Sequence, residues 1–241
     1  MSMEEKLMTI SQAAAFLDVN PMTLRRWDEN GKLVAIHKEG GTHRYYRKRD
    51  LELFESDLKK LAHDWVQEHT DIPGRFYCAN SPVFLARLTS FEAALMKKPG
   101  FEKLFSLIVS IVGEIGNNSF DHNIGRWPDD PGVFFGYDIE NGVAVLADRG
   151  LGVLQTLRNV KPELASHTEA VQVAFTEVIS GRFPERRGNG LKFVRSVVIK
   201  NPINLFFTSG DAELRLMAPK KELNITRSAI YTHGCYVTLE F

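Results

Sequence analysis

The order in which hydrophobic patterns follow one another leaves this 241-residue chain few folds. Helix signals occupy about 82–97 and 101–124, and the chain closes on the strand-like runs "NLFFTSG", "AELRLMA" and "CYVTLEF". Between them, "GVFFGYDIE" and "GVAVLAD" flank an Asn-Gly pair, a hairpin signal. A helical stretch around 166–180 and the run "GLKFVRSVVI" separate that hairpin from the closing strands. Helices early and antiparallel strands late predict an α+β sandwich, one helical layer on one sheet.

The first seventy residues read as a separate, mainly helical unit. "TISQAAAFLDVNPMTLRRWDENGKL" predicts two short helices. Ser11 is the expected cap of the first. Asn20 caps the second, and Pro21 takes its first position, where a missing N–H costs nothing. Gly31 ends that helix. "LVAIHKEGGTHRYYRKR" fits two strands about a Gly-Gly turn. A third helix starts from Asp50 as cap and carries Leu51, Phe54, Leu58, Leu61 and Trp65 at helical spacing. Pro73 and Gly74 in "TDIPGRF" mark the boundary, so domains are expected at 1–70 and 75–241.

Net charge is zero, so an electrostatic function must be local. Residues 21–49 hold Arg25, Arg26, Lys32, Lys38, Arg44, Arg47, Lys48 and Arg49 against Asp28, Glu29 and Glu39. Such clustering suits phosphate binding. Two helices, a tight turn and a basic hairpin form a winged helix-turn-helix pattern, whose second helix enters the major groove of double-stranded DNA. Trp27, Leu24 and Leu33 read as core. The stretch also resembles the DNA-binding domain of the MerR family and its excisionase and transposon relatives, in which a "TLRRW/Y" helix precedes a wing bearing "HRxY". The resemblance covers roughly residues 8–60. It implies DNA contacts from Thr23, Arg25 and Arg26 on the recognition helix, and from Arg44 and Tyr45 on the wing. MerR regulators dimerise through a long helix, whereas the third helix here is expected to stop near residue 69.

The two cysteines, Cys78 and Cys235, lack zinc-site spacing and read as free thiols in a reducing compartment. No apolar signal core or run of ~18 apolar residues is present, so a soluble, cytoplasmic protein without a membrane partner is expected.

The stretch "EIGNNSFDHN" ends the apolar run "FEKLFSLIVSIVG". At ~100° per residue, Glu114, Asn118, Asp121 and His122 share one strip of a helix. Phe105, Ile108, Ile111, Val112 and Ile115 form the neighbouring apolar stripe. Oxygen-bearing side chains in a row suit magnesium, which takes few protein ligands beside phosphate and water. A carboxylate one turn away can orient or deprotonate a nucleophile. "GVAVLADRGLG" reads as a buried strand ending in Asp148, Gly150 and Gly152. Asp148 can accept from an exocyclic amine, and the glycines let a flat ligand approach. In "RRGNGLKFV", Gly188 and Gly190 lead into an apparent helix whose N–H groups favour phosphate.

These three segments resemble the N box and the two glycine boxes of the GHKL ATPases: gyrase B, the heat-shock chaperone ATPase, histidine kinases and MutL proteins. The resemblance covers about 75–241 and implies the Bergerat α/β sandwich with ATP and magnesium as cofactors. By it, Asn118 binds the metal and Glu114 is the general base. Asp121, His122, Gly150, Gly152, Arg187, Gly188, Gly190 and Leu191 line the nucleotide site, and Asp148 reads adenine. Residues 153–187 form a lid, and Thr208 or Ser209 binds near adenine. Arg186 stands where the second box often begins with glycine. The lysine that gyrase and MutL types bring from a following domain has to be replaced by Arg186, Arg187, Lys192 or a partner. ATP binding is expected, with Mg-dependent hydrolysis open. The joined modules predict a nucleotide-responsive transcriptional regulator, acting alone, as a homodimer or with a protein partner. A kinase of the histidine-kinase or anti-sigma type is one alternative, and "AHDWV" offers it His63-Asp64. A DNA-processing ATPase in repair or mobile-element defence is the other.

Overall fold

A computed structural model describes residues 7–38, 41–129, 131–178, 190–217 and 223–241. The first unit contains β1 (Leu7–Thr9), α1 (Ile10–Leu17), α2 (Pro21–Glu29), β2 (Ile36–His37), β3 (Arg44–Arg47) and α3 (Lys48–Ser56). Its strands form an antiparallel sheet in the order β1-β3-β2. Thr9, rather than Ser11, caps α1. Gln12 lies three residues beyond it, so the two exchange reciprocal bonds: Gln12 N–H to Thr9 Oγ1 at 3.3 Å, and Thr9 N–H to Gln12 Oε1 at 2.9 Å. Asn20 caps α2 as expected, accepting from Met22 N–H at 2.8 Å. Leu17, Leu24, Trp27, Leu33, Tyr46 and Leu51 form the buried core of this unit.

The expected third helix is two helices. The chain leaves the helical region at Asp57 (φ −85°, ψ 63°), whose carboxylate then caps α4 (Leu58–Glu68) by accepting from Lys60 N–H at 3.1 Å. Asp50 lies in the first turn of α3 rather than at its cap. Leu58, Leu61, Ala62, Trp65 and Val66 of α4 do not join the first core. They pack on Phe134, Val145, Ala147 and Tyr236 of the large sheet. The break between packing units therefore falls at Asp57, while Pro73 and Gly74 belong to a connecting strap.

That sheet has five strands: β4 (Tyr77–Cys78), β5 (Val133–Asp138), β6 (Val143–Asp148), β7 (Asn204–Met217) and β8 (Asn224–Glu240). Their order is β4-β5-β6-β8-β7 with every pair antiparallel. The other face carries α5 (Ser81–Met96), α6 (Phe105–Asn123), α8 (His167–Thr176) and α9 (Gly190–Val198), with α7 (Gly152–Leu157) following β6. Period-two alternation sorts the residues. In β6, Ala144 and Leu146 face the main helical layer, whereas Val145 and Ala147 face α4. The same alternation turns Asp148 toward α6. Thus the α+β architecture stands, with a helix on the second face as well. The two runs expected at 204–217 are one strand bulged at Gly210 (φ 61°). Leu205 and Phe207 precede the bulge, and Ala212, Leu214 and Leu216 follow it. The shift in phase keeps both sets in one core. Among the described residues, no helix is long and apolar enough to cross a membrane.

Candidate functional site

On the first unit, α2 presents its polar side outward. Arg25 and Arg26 are exposed and Thr23 is half-buried, while Leu24 and Trp27 are buried, as expected. The wing residues are less available. Arg44 Nε donates to Asp28 Oδ2 at 2.6 Å, tying the hairpin to the end of α2. Asp28 also accepts from Ala35 N–H at 2.8 Å. Burial alone would raise the Asp28 pKa. The Ala35 N–H and Arg44 outweigh it and hold the carboxyl below its ordinary value. Tyr45 is half-buried, with Lys38 Nζ 4.7 Å from its ring centroid. Tyr46, next to it, is core. Its hydroxyl donates to Leu24 O at 3.2 Å, and burial pushes its pKa up to about 12.

In the second unit, three distant segments meet at the end of α6. Glu114 and Asn118 are half-buried and face Gly190, the first residue of α9. A methyl at position 190 would collide with the Glu114 carboxylate and stand 3.4 Å from Asn118 Nδ2. Farther along α6, Ser119 Oγ donates to Asp148 Oδ2 at 2.7 Å, and Asp148 Oδ1 accepts from Gly150 N–H at 2.9 Å. Asn123 Oδ1 accepts from Leu151 N–H at 2.8 Å, and a methyl at Gly150 would strike the Asn123 amide. From the bulge in β7, Ser209 Oγ accepts from Val153 N–H at 3.0 Å and donates to Gly234 O at 2.9 Å. Gly152 and Gly234 both hold φ 72°. A methyl at 234 would press on Asp148 and on Gly150 N.

Asp148 is 2% exposed. Burial raises its pKa, offset in part by the Ser119 hydroxyl, the Gly150 N–H and Cys235. The carboxylate thus accepts from Ser119 and Gly150 N–H on one side and faces Cys235 on the other. Cys235, paired with Asp148 across β6 and β8, has its thiol pushed well above the ordinary value by burial and then by the Asp148 charge. Among the described residues His122 Nδ1 is buried without a hydrogen-bond partner, and burial, then Arg126, lowers the His122 pKa. Asp121 is half-buried beside it. Leu191 packs against the main core. Thr208 turns to Thr232, with the hydroxyls 3.0 Å apart. Of Thr208 and Ser209, only Ser209 reaches the 148–153 loop. Arg186, Arg187 and Gly188 lie outside the described residues.

Among the described residues, no group of three or more His, Cys, Asp or Glu side chains could hold a metal by itself. Glu114 and Asn118 at Gly190 fit a hard cation that draws most ligands from phosphate and water. His63, on α4, is exposed and lies across the sheet from Glu114. Ser119, Asn123, Ser209 and Gly234 are the contributors that sequence reading missed or left unspecified. Ser209 is one of the two alternatives the resemblance names, and Asn123 gives a signal as one more polar residue at the end of α6.

Comparison with known proteins gives a family match to part of the chain. Residues 8–56 match the family model described as MerR HTH family regulatory protein. The chain is 42% identical over 59 residues to the transcriptional repressor DcmR of Methylorubrum extorquens, covering 24% of this chain and 22% of that protein. It is 34% identical over 77 residues to the type II methyltransferase M.Eco47II of Escherichia coli, covering 32% of this chain and 18% of that protein. The chain thus spans about a fifth of the length of each of these relatives. No solved structure matches it. The matched segment ends at Ser56, one residue before the first packing unit gives way to α4, so residues 8–56 are a MerR-type helix-turn-helix segment built as its own core.

Proposed function

We propose that this chain is an ATP-binding, DNA-binding regulator whose affinity for double-stranded DNA depends on the bound nucleotide. The MerR-type segment supports the DNA half. The nucleotide half is carried by one observation: the polar end of α6, the Asp148–Gly152 loop and Gly190 come together at one end of the sheet, although each is remote from the next in sequence. In this reading Asn118 holds magnesium and Glu114 orients a water. Asp148 takes the exocyclic amine, and the 150–152 backbone lies against the base. Magnesium bound there would neutralise phosphate charge. The γ-phosphate cation would come from Arg186, Arg187, Lys192 or a partner. Position argues against phosphorylation of His63 within the chain, since the sheet separates it from Glu114.

The test combines calorimetry with DNA titration. MgATP should bind the wild type, and Asn118→Ala should abolish both that heat and any effect of nucleotide on DNA affinity. Glu114→Ala should retain binding. Equal DNA affinity with ATP, ADP and no nucleotide would falsify the coupling, and an absence of adenine-nucleotide heat would remove the pocket altogether.

A further inference from the structure

The segment joining α4 to β4 lies against the recognition helix. Its Asp71 carboxylate accepts from Thr23 Oγ1 at 3.2 Å, and the same oxygen, Oδ2, pairs with the Arg26 guanidinium. Thr23 and Arg26 are three residues apart and so lie on one side of α2. Lys32, just past the helix, donates to Thr70 Oγ1 at 2.8 Å and lies 3.4 Å from Asp71 O. A hydroxyl and a guanidinium converging on one anionic oxygen is how a protein holds a DNA phosphate. Arg25, by contrast, donates to Met22 Sδ of its own helix, at 3.0 Å. The strap is also clamped at its far end. Gly74 N–H donates to Asp18 O at 3.0 Å, and Arg75 pairs with Glu55 at 3.1 Å and with Phe16 O. Those contacts hold the strap against the end of α1 and the turn after it, while Asp71 lies against α2.

We infer that Asp71 is a built-in competitor for DNA phosphate, keeping the Thr23 and Arg26 side of α2 occupied until duplex displaces it. The inference rests on the DNA-binding reading and not on the nucleotide site. Its carboxylate cancels one positive charge where the phosphate would sit, so duplex docking on this arrangement would omit one phosphate contact or would first have to break the Asp71 pair.

Non-specific duplex suffices as the probe, because the phosphate term is independent of sequence. The full chain is titrated with a labelled random-sequence duplex at several salt concentrations, as wild type, Asp71→Asn, Arg26→Ala, Arg25→Ala and the Asp71→Asn/Arg26→Ala double variant. Asp71→Asn should tighten binding by about tenfold near 0.1 M salt and steepen the slope of log K against log salt by about 0.9, the value of one more phosphate contact. In the Arg26→Ala background the same change should have little effect, since the cation it releases is gone. If Arg25→Ala weakens binding while Asp71→Asn leaves affinity and slope unaltered, or loosens them, Asp71 is a structural tie and the inference is overturned with the DNA reading intact. If no variant binds duplex, both are overturned. Circular dichroism and the unfolding midpoint check that every variant is folded.

Discussion

Around Asp148, backbone and side chain are packed so closely that single atoms decide whether the loop can form. Gly234 shows this most sharply. It holds φ 72°, a conformation L side chains rarely adopt, and the space where a Cβ would go is filled by Asp148 and Gly150 N. Gly234→Ala should therefore cost on the order of 2 kcal/mol or more, joining backbone strain to a clash with atoms that cannot rotate away. Ala at Gly31, where φ is also positive but nothing lies within 4 Å, should cost only the strain, about 1 kcal/mol. Urea unfolding of both variants measures the difference. Equal losses would mean that the loop yields and that Gly234 does not shape it. The same packing limits what sequence could disclose here. Asp148, Gly150 and Gly152 announced themselves because glycines beside an acid at a strand end are a local pattern. Gly234, Ser119 and Ser209 reach the loop only through pairing of β6 with β8, the bulge in β7 and the rotation of α6, none of which is local.

Helix α4 illustrates how an element can be legible while its allegiance is not. Leu58, Leu61 and Trp65 recur at helical spacing, so the helix itself is plain in the sequence. The pattern continues unbroken from Leu51, which makes α3 and α4 look like one helix of the first unit. Asp57 separates them by leaving the helical region and capping α4, which turns its apolar side to the sheet. Periodicity records that a face is buried and not which partner buries it, which is why the Pro73-Gly74 punctuation gives a later boundary than packing does. A chain beginning at Asp57 should accordingly fold, whereas one beginning at Gly74 should expose Phe134, Val145, Ala147 and Tyr236 and aggregate. Trp65 alone, 5% exposed, should cost about 3–5 kcal/mol when changed to Ala, as large aromatic truncations in cores do. Size-exclusion chromatography and thermal unfolding of the two shortened chains decide the matter. Cooperative unfolding of the Gly74 chain would show that α4 is dispensable to the sheet.

The strap that carries Asp71 also touches the loop proposed to hold nucleotide, through the side chains of Arg149, Asp129 and His69. Arg149, 8% exposed and with its guanidinium 5.5 Å from the Trp65 ring centroid, pairs with Asp129 Oδ2. His69 Nδ1 lies 3.1 Å from the same oxygen, two residues before Asp71. His69 closes α4 with φ 53°, so its backbone is held in a conformation that only its surroundings sustain. A ligand that shifts the 148–152 loop thus acts on Arg149, then on the Asp129 oxygen shared with His69, and then on the strap over Thr23 and Arg26. Contact alone does not demonstrate coupling; the demonstration is a change in the free energy linking the two sites. Asp129→Asn keeps the shape of the middle group and removes its charge. In that variant MgATP alone should bind within about twofold of wild type, while the ratio of DNA affinities with and without MgATP, normally about 5–150-fold where sites are coupled, should shrink toward one. Because linkage is reciprocal, the factor by which duplex changes MgATP affinity must shrink equally. Calorimetry in both orders of addition measures the two factors. An undiminished ratio in Asp129→Asn would place the route between nucleotide and DNA elsewhere, and unequal factors would mean that the titrations report something other than two sites on one chain.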